Sequence, residues 1–250
     1  MHAEISIVIP VKDEEENVQT LANEINRAMS RLAAPWECVW VDDGSTDGTA
    51  EKLQELQNTD PRHRFVALSK NYGQSAALFA GFRSARGTII ATLDGDGQND
   101  PADIPILIDI FQNNNVDMVN GVRRKRHDSF VRKISSRIAN SFRDWVTGDK
   151  VTDVGCSVRV FRAKCVEHIP LFKGMHRFFP TLVKIAGFTR IMEHPVNHRP
   201  RSKGVTKYGI QNRLWVGLAD LGAVKWMQRR LVFPEVKTST TTTQRGKEEK

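Results

Sequence analysis

The stretch GTIIATLDGDGQNDP, residues 87–101, joins an apolar run to a loop crowded with carboxylates. The run at 88–93 is typical of a buried strand, because it is short, continuously apolar and bounded by glycine. Asp94, Asp96 and Asp100 then follow within seven positions, with glycines between them. Carboxylates that repel one another are seldom gathered without a cation. The stretch therefore predicts a cation site at the end of a buried strand.

Strands and helices alternate on both sides of this stretch. Short apolar, β-branched runs predict the strands, and apolar residues spaced three and four apart predict the helices between them. Such alternation predicts an α/β fold with a mostly parallel, doubly wound central sheet and flanking helices. The predicted strands are 4–11, 37–41, 64–69, 88–93 and 116–122, and the predicted helices follow Asp13, begin at about Thr49, and cover 74–85 and 102–113.

Polar motifs follow three of the predicted strands directly. Pro10–Glu14 follows the first strand, Asp42 and Asp43 the second, and Asp94–Gln98 the fourth. Ligands of such sheets bind beyond the carboxyl ends of the strands, so we expect these motifs in one site. An Asp-x-Asp loop suits a hard divalent cation that bridges the oxygens of a diphosphate.

Several other kinds of site do not fit the sequence. An EF-hand starting at Asp94 would need a bidentate glutamate at its twelfth position, which is Pro105. The chain has neither a Walker A motif nor GxGxxG, so neither a P-loop NTPase nor a standard dinucleotide fold is indicated. Its three cysteines lack metal-binding spacing, and we expect reduced thiols. No apolar run approaches the length of a membrane span.

The formal net charge of +8 is concentrated in two segments. Residues 121–150 hold nine Lys or Arg against three Asp, and residues 190–213 hold six against one Glu. Such clusters predict an anionic partner: nucleic acid, an anionic membrane or a phosphate-bearing substrate. Arginine dominates both clusters and its planar fork suits bidentate phosphate contact, so a phosphate-bearing partner is favoured. Nucleic acid would leave the acidic strand-end motifs unexplained, and we expect no nucleic-acid partner.

Five sequence blocks stand out along the chain, from about Ile5 to Trp226: SIVIPVKDEEENV, VDDGSTDGT, LDGDGQNDP, DVGCSVRVFR and RPRSKGVTKYG. Together they resemble the GT-A-fold glycosyltransferases of family two. Within that family, the chain is most similar to the dolichol-phosphate mannose synthase and bacterial polyprenyl-phosphate glycosyltransferase group. The resemblance implies an inverting transfer of a sugar from a nucleotide-sugar donor to a polyprenyl phosphate acceptor, with Mg²⁺ or Mn²⁺ as cofactor.

The resemblance also implies roles for individual residues. Asp153 matches an acidic position whose role stays open: a base, an orienting group, a counter-ion for arginines or a structural cap. Metal binding is implied for Asp96 and Gln98, and acceptor-phosphate binding for Arg123, Arg132, Ser136 and Arg201. Nucleotide-sugar binding is implied for Pro10, Lys12, Glu14, Trp40, Asp42, Asp94, Gly95, Asp96, Arg123 and Lys207. The implied catalytic set is Asp94, Asp96, Arg132, Arg201 and Asp153.

We expect one domain at 1–233, with a nucleotide-sugar half at about 1–122 and an acceptor half at about 123–212. An amphipathic interfacial helix is expected at about 208–230 and a disordered tail at 234–250. The helix would place Trp and Arg at a membrane surface, and its packing on the domain itself is the alternative. The interpretation is therefore a cytoplasmic protein, peripherally bound to the cytoplasmic face of a membrane, with a membrane-protein partner or a homo-oligomer as possible anchor.

Two other functions remain open from the sequence. One is a family two transferase that uses a hydroxyl of a polysaccharide or glycolipid as acceptor. The other is a non-catalytic protein that binds nucleotide or nucleic acid.

Overall fold

The structure is a computed structural model of the chain, and it describes residues 3–124, 143–149, 151–200 and 213–233. Seven strands form one central sheet. All five predicted strands are present, with ends shifted by at most two residues. The strands are β1 (Ile5–Val11), β2 (Trp36–Asp42), β3 (His63–Ala67), β4 (Ile89–Thr92), β5 (Met118–Arg123), β6 (Arg159–Arg162) and β7 (Ile191–Val196).

The strands lie in the order β3-β2-β1-β4-β6-β5-β7. β1 pairs in parallel with β2 and β4, β2 with β3, and β5 with β7. β6 runs antiparallel to both of its neighbours, β4 and β5. The predicted mostly parallel sheet is confirmed, and the two strands that the sequence did not predict are β6 and β7.

Helices cover both faces of the sheet. Neighbouring residues of a strand enter opposite cores, as the two-residue period of a strand requires: Ile7 and Ile9 pack toward α1, α2 and α4, whereas Val8 packs toward α3, α5 and α6. The described helices are α1 (Glu15–Met29), α2 (Thr49–Thr59), α3 (Gln74–Ser84), α4 (Asp103–Asn113), α5 (Phe179–Ile185) and α6 (Arg213–Arg230).

The C-terminal helix α6 packs on the domain through one face only. Leu221 and Val224 are buried in the second core, whereas Trp226 is 61% exposed and Leu218 is 39% exposed. Gln228 Nε2 donates to the carbonyl of Thr147 at 2.8 Å, which fastens α6 to a helical segment at 143–147. Residues 208–212 of the predicted interfacial helix and the predicted tail lie outside the described residues. Among the described helices, none is both long and apolar enough to cross a membrane.

Candidate active site

The carboxyl ends of β1, β2 and β4 lie side by side at one edge of the sheet. Val11 at the end of β1 is in register with Asp42 at the end of β2. The loop after β4 passes close to β1, because a Cβ added at Gly95 would meet Val11 Cγ1 at 2.4 Å and the Pro10 carbonyl at 3.1 Å. Only glycine fits at this position, and its absent side chain brings the acidic loop onto the end of β1.

The loops after β1 and β2 are fastened to each other. Lys12 Nζ donates to the carbonyl of Gly44 at 3.1 Å and lies 3.3 Å from the Asp13 carboxylate. The Glu14 amide donates to Thr49 Oγ1 at 2.9 Å, and the Glu14 carboxylate accepts from Asn17 Nδ2 at 2.5 Å. These contacts place both predicted nucleotide-binding side chains at the rim of the sheet edge.

The two carboxylates that end β2 organise the next loops. Asp42 Oδ1 accepts from the Ser45 amide at 3.0 Å and from the Ser45 hydroxyl. Asp43 accepts from the backbone amides of Tyr72 and Gly73 at 2.7 and 2.8 Å, which fixes the start of α3 beside the site. Asp43 therefore has a positioning function that the sequence did not reveal.

Trp40 does not lie at the site, and its predicted contact with the nucleotide is wrong. Its side chain is 1% exposed, and its Nε1 donates to His63 Nδ1 at 3.0 Å within the core. His63 Nε2 in turn faces Asn26 Oδ1 at 3.0 Å. Trp40 lies on the same face of β2 as Cys38, and the strand's alternation directs both into the core beneath α1.

The acidic loop holds its carboxylates at the sheet edge. Asp94 Oδ1 accepts from Gln74 Nε2, the first residue of α3, at 2.8 Å. Burial raises the pKa of Asp94, and the nearby Asp96 charge raises it further. Asp96 Oδ1 accepts from the Gln98 amide at 3.1 Å across Gly97, which has a positive φ of 72°. The two aspartates are thus close enough to repel each other.

The far side of the acidic loop is joined to the segment at 197–199. The Arg199 amide donates to the Gln98 carbonyl at 2.7 Å, and Gln98 Nε2 donates to the Arg199 carbonyl at 3.4 Å. The Arg199 guanidinium bridges Glu24, at 2.9 Å, and Asp100, at 2.9 Å. Arg199 therefore fixes the position of the loop relative to α1.

Arg123 and Asp153 form a direct ion pair at the site. Arg123 Nε lies 2.7 Å from Asp153 Oδ2, and Arg123 Nη2 lies 2.8 Å from Asp153 Oδ1. The carboxylate also accepts from the Arg123 amide at 3.3 Å. Of the four roles left open for Asp153, this two-pronged geometry favours the counter-ion.

Arg159, at the start of β6, is a site residue that the sequence did not reveal. Its side chain is buried beside Asp94, where Nε donates to Asn120 Oδ1 at 3.1 Å and Nη2 donates to the carbonyls of Val154 and His176. Antiparallel β6 starts at the edge where its neighbours end, so this strand delivers a cation to the site. A lone arginine in an apolar run gave no signal of this. Four predicted residues lie outside the described residues, namely Arg132, Ser136, Arg201 and Lys207.

Comparison with known proteins agrees with this architecture. The Glycosyl transferase family 2 model matches residues 6–170. The chain is 40% identical, over 92% of its length, to the dodecaprenyl-phosphate galacturonate synthase of Rhizobium johnstonii. It is 37% identical, over 82% of its length, to the undecaprenyl-phosphate 4-deoxy-4-formamido-L-arabinose transferase of Pectobacterium atrosepticum. The chain spans 69% of the first relative's length and 63% of the second's.

Solved structures share the fold at low sequence identity. Glucosyl-3-phosphoglycerate synthase of Mycobacterium tuberculosis, in complex with UDP, has a TM-score of 0.64 and 17% identity; the match covers 90% of this chain and 80% of that one. A mannosyltransferase of Pyrobaculum calidifontis, in complex with GDP-Man and Mn²⁺, has a TM-score of 0.58 and 19% identity, with 84% and 59% covered. These likenesses confirm the predicted GT-A fold. The family match and the two relatives show that this chain belongs to glycosyl transferase family 2.

Proposed function

We propose that this chain transfers a sugar from a nucleotide-sugar donor to the phosphate of a polyprenyl phosphate. The observation that carries the proposal is the agreement of the two relatives, which both bear names of polyprenyl-phosphate enzymes and match most of this chain. The names specify different sugars, so they support the acceptor class more than the sugar. The rim at Pro10, Lys12, Glu14 and Asp42 is the proposed nucleotide side of the site.

A divalent cation, Mg²⁺ or Mn²⁺, fits the acidic loop. The mutual repulsion of Asp94 and Asp96 would be relieved by a cation, and Asp96 and Gln98 are the proposed ligands. Within the described residues, no group of three or more His, Cys, Asp or Glu side chains is placed to hold a metal ion. The donor's diphosphate is proposed to complete the ligand set. When bound, the metal neutralises charge that develops on the leaving nucleoside diphosphate.

The remaining groups of the chain orient the reactants. Gln74 holds the Asp94 carboxylate in place, and Gly95 lets the acidic loop pack against the end of β1. The acceptor phosphate is already mostly dianionic at neutral pH, so it needs cations to hold it more than it needs a base. Arg132 and Arg201 are the proposed clamp, with Ser136, Arg123 and Lys207 as further phosphate contacts. In-line attack on the anomeric carbon in a single displacement inverts its configuration.

The exposed face of α6 is the proposed membrane contact. Leu218 and Trp226 are exposed on it, and Trp145, in the segment fastened to α6, is 80% exposed. Arg229 and Arg230 are exposed at the end of the same helix. Tryptophan and arginine together suit the headgroup region, so peripheral binding at the cytoplasmic face, with or without a membrane-protein partner or a second copy, would bring the enzyme to its lipid acceptor.

The test is transfer of radiolabelled sugar. The protein is incubated with vesicles that contain polyprenyl phosphate and with a panel of nucleotide-sugars, and the product is extracted into organic solvent. We expect label in the organic phase, dependent on both the lipid phosphate and a divalent metal. Label that appears only in an aqueous polymer would instead support a hydroxyl acceptor, and binding of oligonucleotide without uptake of nucleotide-sugar would support a nucleic-acid protein.

A further inference from the structure

A cavity of about 170 Å³ opens beside Asp94, at the edge of the sheet where the proposed donor lies. The start of α3, the start of β6 and the 3₁₀ helix Met175–Phe178 form its walls. Its polar and charged lining includes Gln74, Asp94, Ser157, Arg159, His176 and Arg177.

The two arginines of this cavity lack the partners that other arginines of the chain have. Arg159 is 4% exposed, and its donors contact only neutral oxygens: an amide and two backbone carbonyls. Within the described residues, no carboxylate lies within 4.0 Å of Arg159 or Arg177. By contrast, Arg64, Arg123, Arg143, Arg162, Arg190 and Arg199 each have such a partner.

A buried cation with no carboxylate at ion-pair distance is unfavourable, because the more distant charges of Asp94 and Asp153 only partly replace its lost solvation. Burial accordingly lowers the pKa of Arg159 to about 10. Asp94 is the one acid of the lining; its Oδ1 is engaged by Gln74, and it belongs to the proposed metal loop. The lining therefore keeps a formal charge of +1, with one Asp against Arg159 and Arg177.

His176 reports the electrostatic character of the cavity. Burial, together with the charges of Arg177 and Arg159, lowers its pKa to about 3. The ring is therefore neutral at physiological pH, and its Nδ1 is within hydrogen-bond distance of Ser75 Oγ at 2.9 Å. Burial disfavours a charge of either sign, whereas the charges of Arg177 and Arg159 specifically favour a negative group in the cavity.

We propose that this cavity receives the sugar of the donor and that this sugar carries a carboxylate, so that the donor is a nucleotide-linked uronic acid. Arg159 and Arg177 hold the carboxylate, and Gln74 and Asp94 lie where the ring hydroxyls enter. The inference rests on the proposed function, since it assigns the substrate class of the same site.

The donor's diphosphate is the other anion that could neutralise Arg159, and a comparison of ligands separates the two. Isothermal titration calorimetry with Mn²⁺ present first identifies which nucleoside diphosphate binds. The affinity is then measured for that nucleoside diphosphate alone, for its hexose conjugate and for the matching uronic acid conjugate. We expect the uronic acid donor to bind about tenfold more tightly than the neutral donor, as a charge-assisted contact provides.

Substitution assigns that preference to the arginines. Arg177→Gln changes a half-buried side chain and should fold; it should reduce the preference for the uronic acid while leaving the affinity for the nucleoside diphosphate unchanged. Arg159→Lys keeps the charge but loses the fork and should reduce the preference in the same way. Arg86→Gln is the control, because Arg86 is exposed and lies just before β4, at the opposite end of the sheet. It should change neither the preference for the uronic acid nor the affinity for the nucleoside diphosphate.

The outcomes also separate this inference from the proposed function. Equal or tighter binding of the neutral donor overturns the uronic acid, and transfer of that neutral sugar to polyprenyl phosphate would at the same time support the proposed function. If Arg159→Lys weakens the nucleoside diphosphate and both donors equally, Arg159 contacts the diphosphate and the assignment is wrong. If no nucleotide-sugar binds, the proposed function and the inference fail together.

Discussion

Arg123 at the end of β5 and Asp153 form a two-pronged ion pair, with N–O distances of 2.7 and 2.8 Å. The two side chains are 16% and 9% exposed, so the pair is largely shielded from water. Both oxygens of the carboxylate are engaged by one guanidinium, so taking a proton from an acceptor would cost the carboxylate one of these contacts. The geometry thus orients Arg123 at the site and fits an acceptor that arrives already ionised.

Asp153→Asn should therefore reduce stability as well as turnover. Removing one partner of a shielded pair leaves an uncompensated charge, and we expect the free energy of unfolding to fall by about 3 kcal/mol in urea titrations. Glu15→Gln, which removes one partner of an exposed pair with Lys52, should cost less than about 0.5 kcal/mol. A stable Asp153→Asn enzyme that has lost the acidic limb of its kcat/KM profile would instead identify Asp153 as a base.

Asp96→Asn should keep the fold and lose most of the metal-dependent turnover. The side chain lies in a polar loop, whereas its charge is proposed to hold the cation, and loss of such a group costs roughly 10²–10³ in rate. Asp109→Asn, on the exposed face of α4, is the matched control and should leave the rate unchanged. Near-normal turnover of the unaltered protein in EDTA would contradict the metal assignment.

The buried His63 should make stability depend on pH. Burial lowers its pKa from 6.5 to about 4, so between these values the unfolded chain binds a proton that the folded chain does not. The free energy of unfolding should fall as the pH falls from 6.5 to 4, by up to about 3 kcal/mol from this residue. His176, whose pKa is lowered to about 3, should add to the same trend.

Urea unfolding at a series of pH values measures this effect. His63→Gln should flatten the dependence between pH 6.5 and 4, although His176 leaves part of it in place. His168→Gln, an exposed histidine, should leave the slope as it is. An unchanged slope in the His63 variant would show that the ring does not resist protonation in the folded state.

Gly95→Ala should displace the acidic loop from the end of β1. The added Cβ would lie 2.4 Å from Val11 Cγ1, and overpacking of this kind costs about 1–3 kcal/mol. We expect a larger loss in nucleoside diphosphate affinity than in stability, because the loop carries the proposed metal ligands. Gly222→Ala meets no atom within 4 Å on α6 and should stabilise the helix by about 0.5–1 kcal/mol. Unchanged nucleotide affinity in Gly95→Ala would show that the loop tolerates the shift.

Arg229→Gln should weaken binding to vesicles of phosphatidylglycerol and phosphatidylethanolamine. A basic residue near an anionic surface contributes about 1 kcal/mol, so the partition coefficient in co-sedimentation should fall roughly fivefold. Trp226→Ala should also lower it, and that loss should persist in high salt because it is apolar. The remote Arg86→Gln is again the control, and equal binding of all variants would remove α6 from the membrane contact.

The sequence predicts the first five strands well because each is an apolar run closed by turn residues, and such runs reveal buried parallel strands. It does not predict β7, whose residues Ile191–Val196 include a proline and a glutamate. An edge strand tolerates both, since one side of its backbone forms no ladder. β6 is equally hidden, because its four residues begin and end with arginine.

The site residues also differ in how well the sequence predicts them. Residues directly after a predicted strand, such as Asp94, reach the sheet edge as expected, because chain position fixes their location. Gln74, Arg159 and His176 come together only through the crossing of distant elements, which no local pattern encodes. The prediction for Trp40 fails for a different reason: the alternation of β2 already placed the ring in the core, and the family resemblance outweighed that signal.

The reversed strand β6 has a consequence for how such an enzyme can diversify. Arg123 ends β5 and Arg159 begins β6, and these strands are neighbours, with Asn120 in register with Arg159. The chain between these two arginines therefore leaves the sheet and rejoins it at the same edge, and a strand fixes each of its two ends. The end of this stretch is tied to the donor side, because Ser157 Oγ donates to Asn99 Oδ1 of the acidic loop at 2.8 Å. A change of acceptor that leaves the donor loops in place must therefore fall earlier in the stretch.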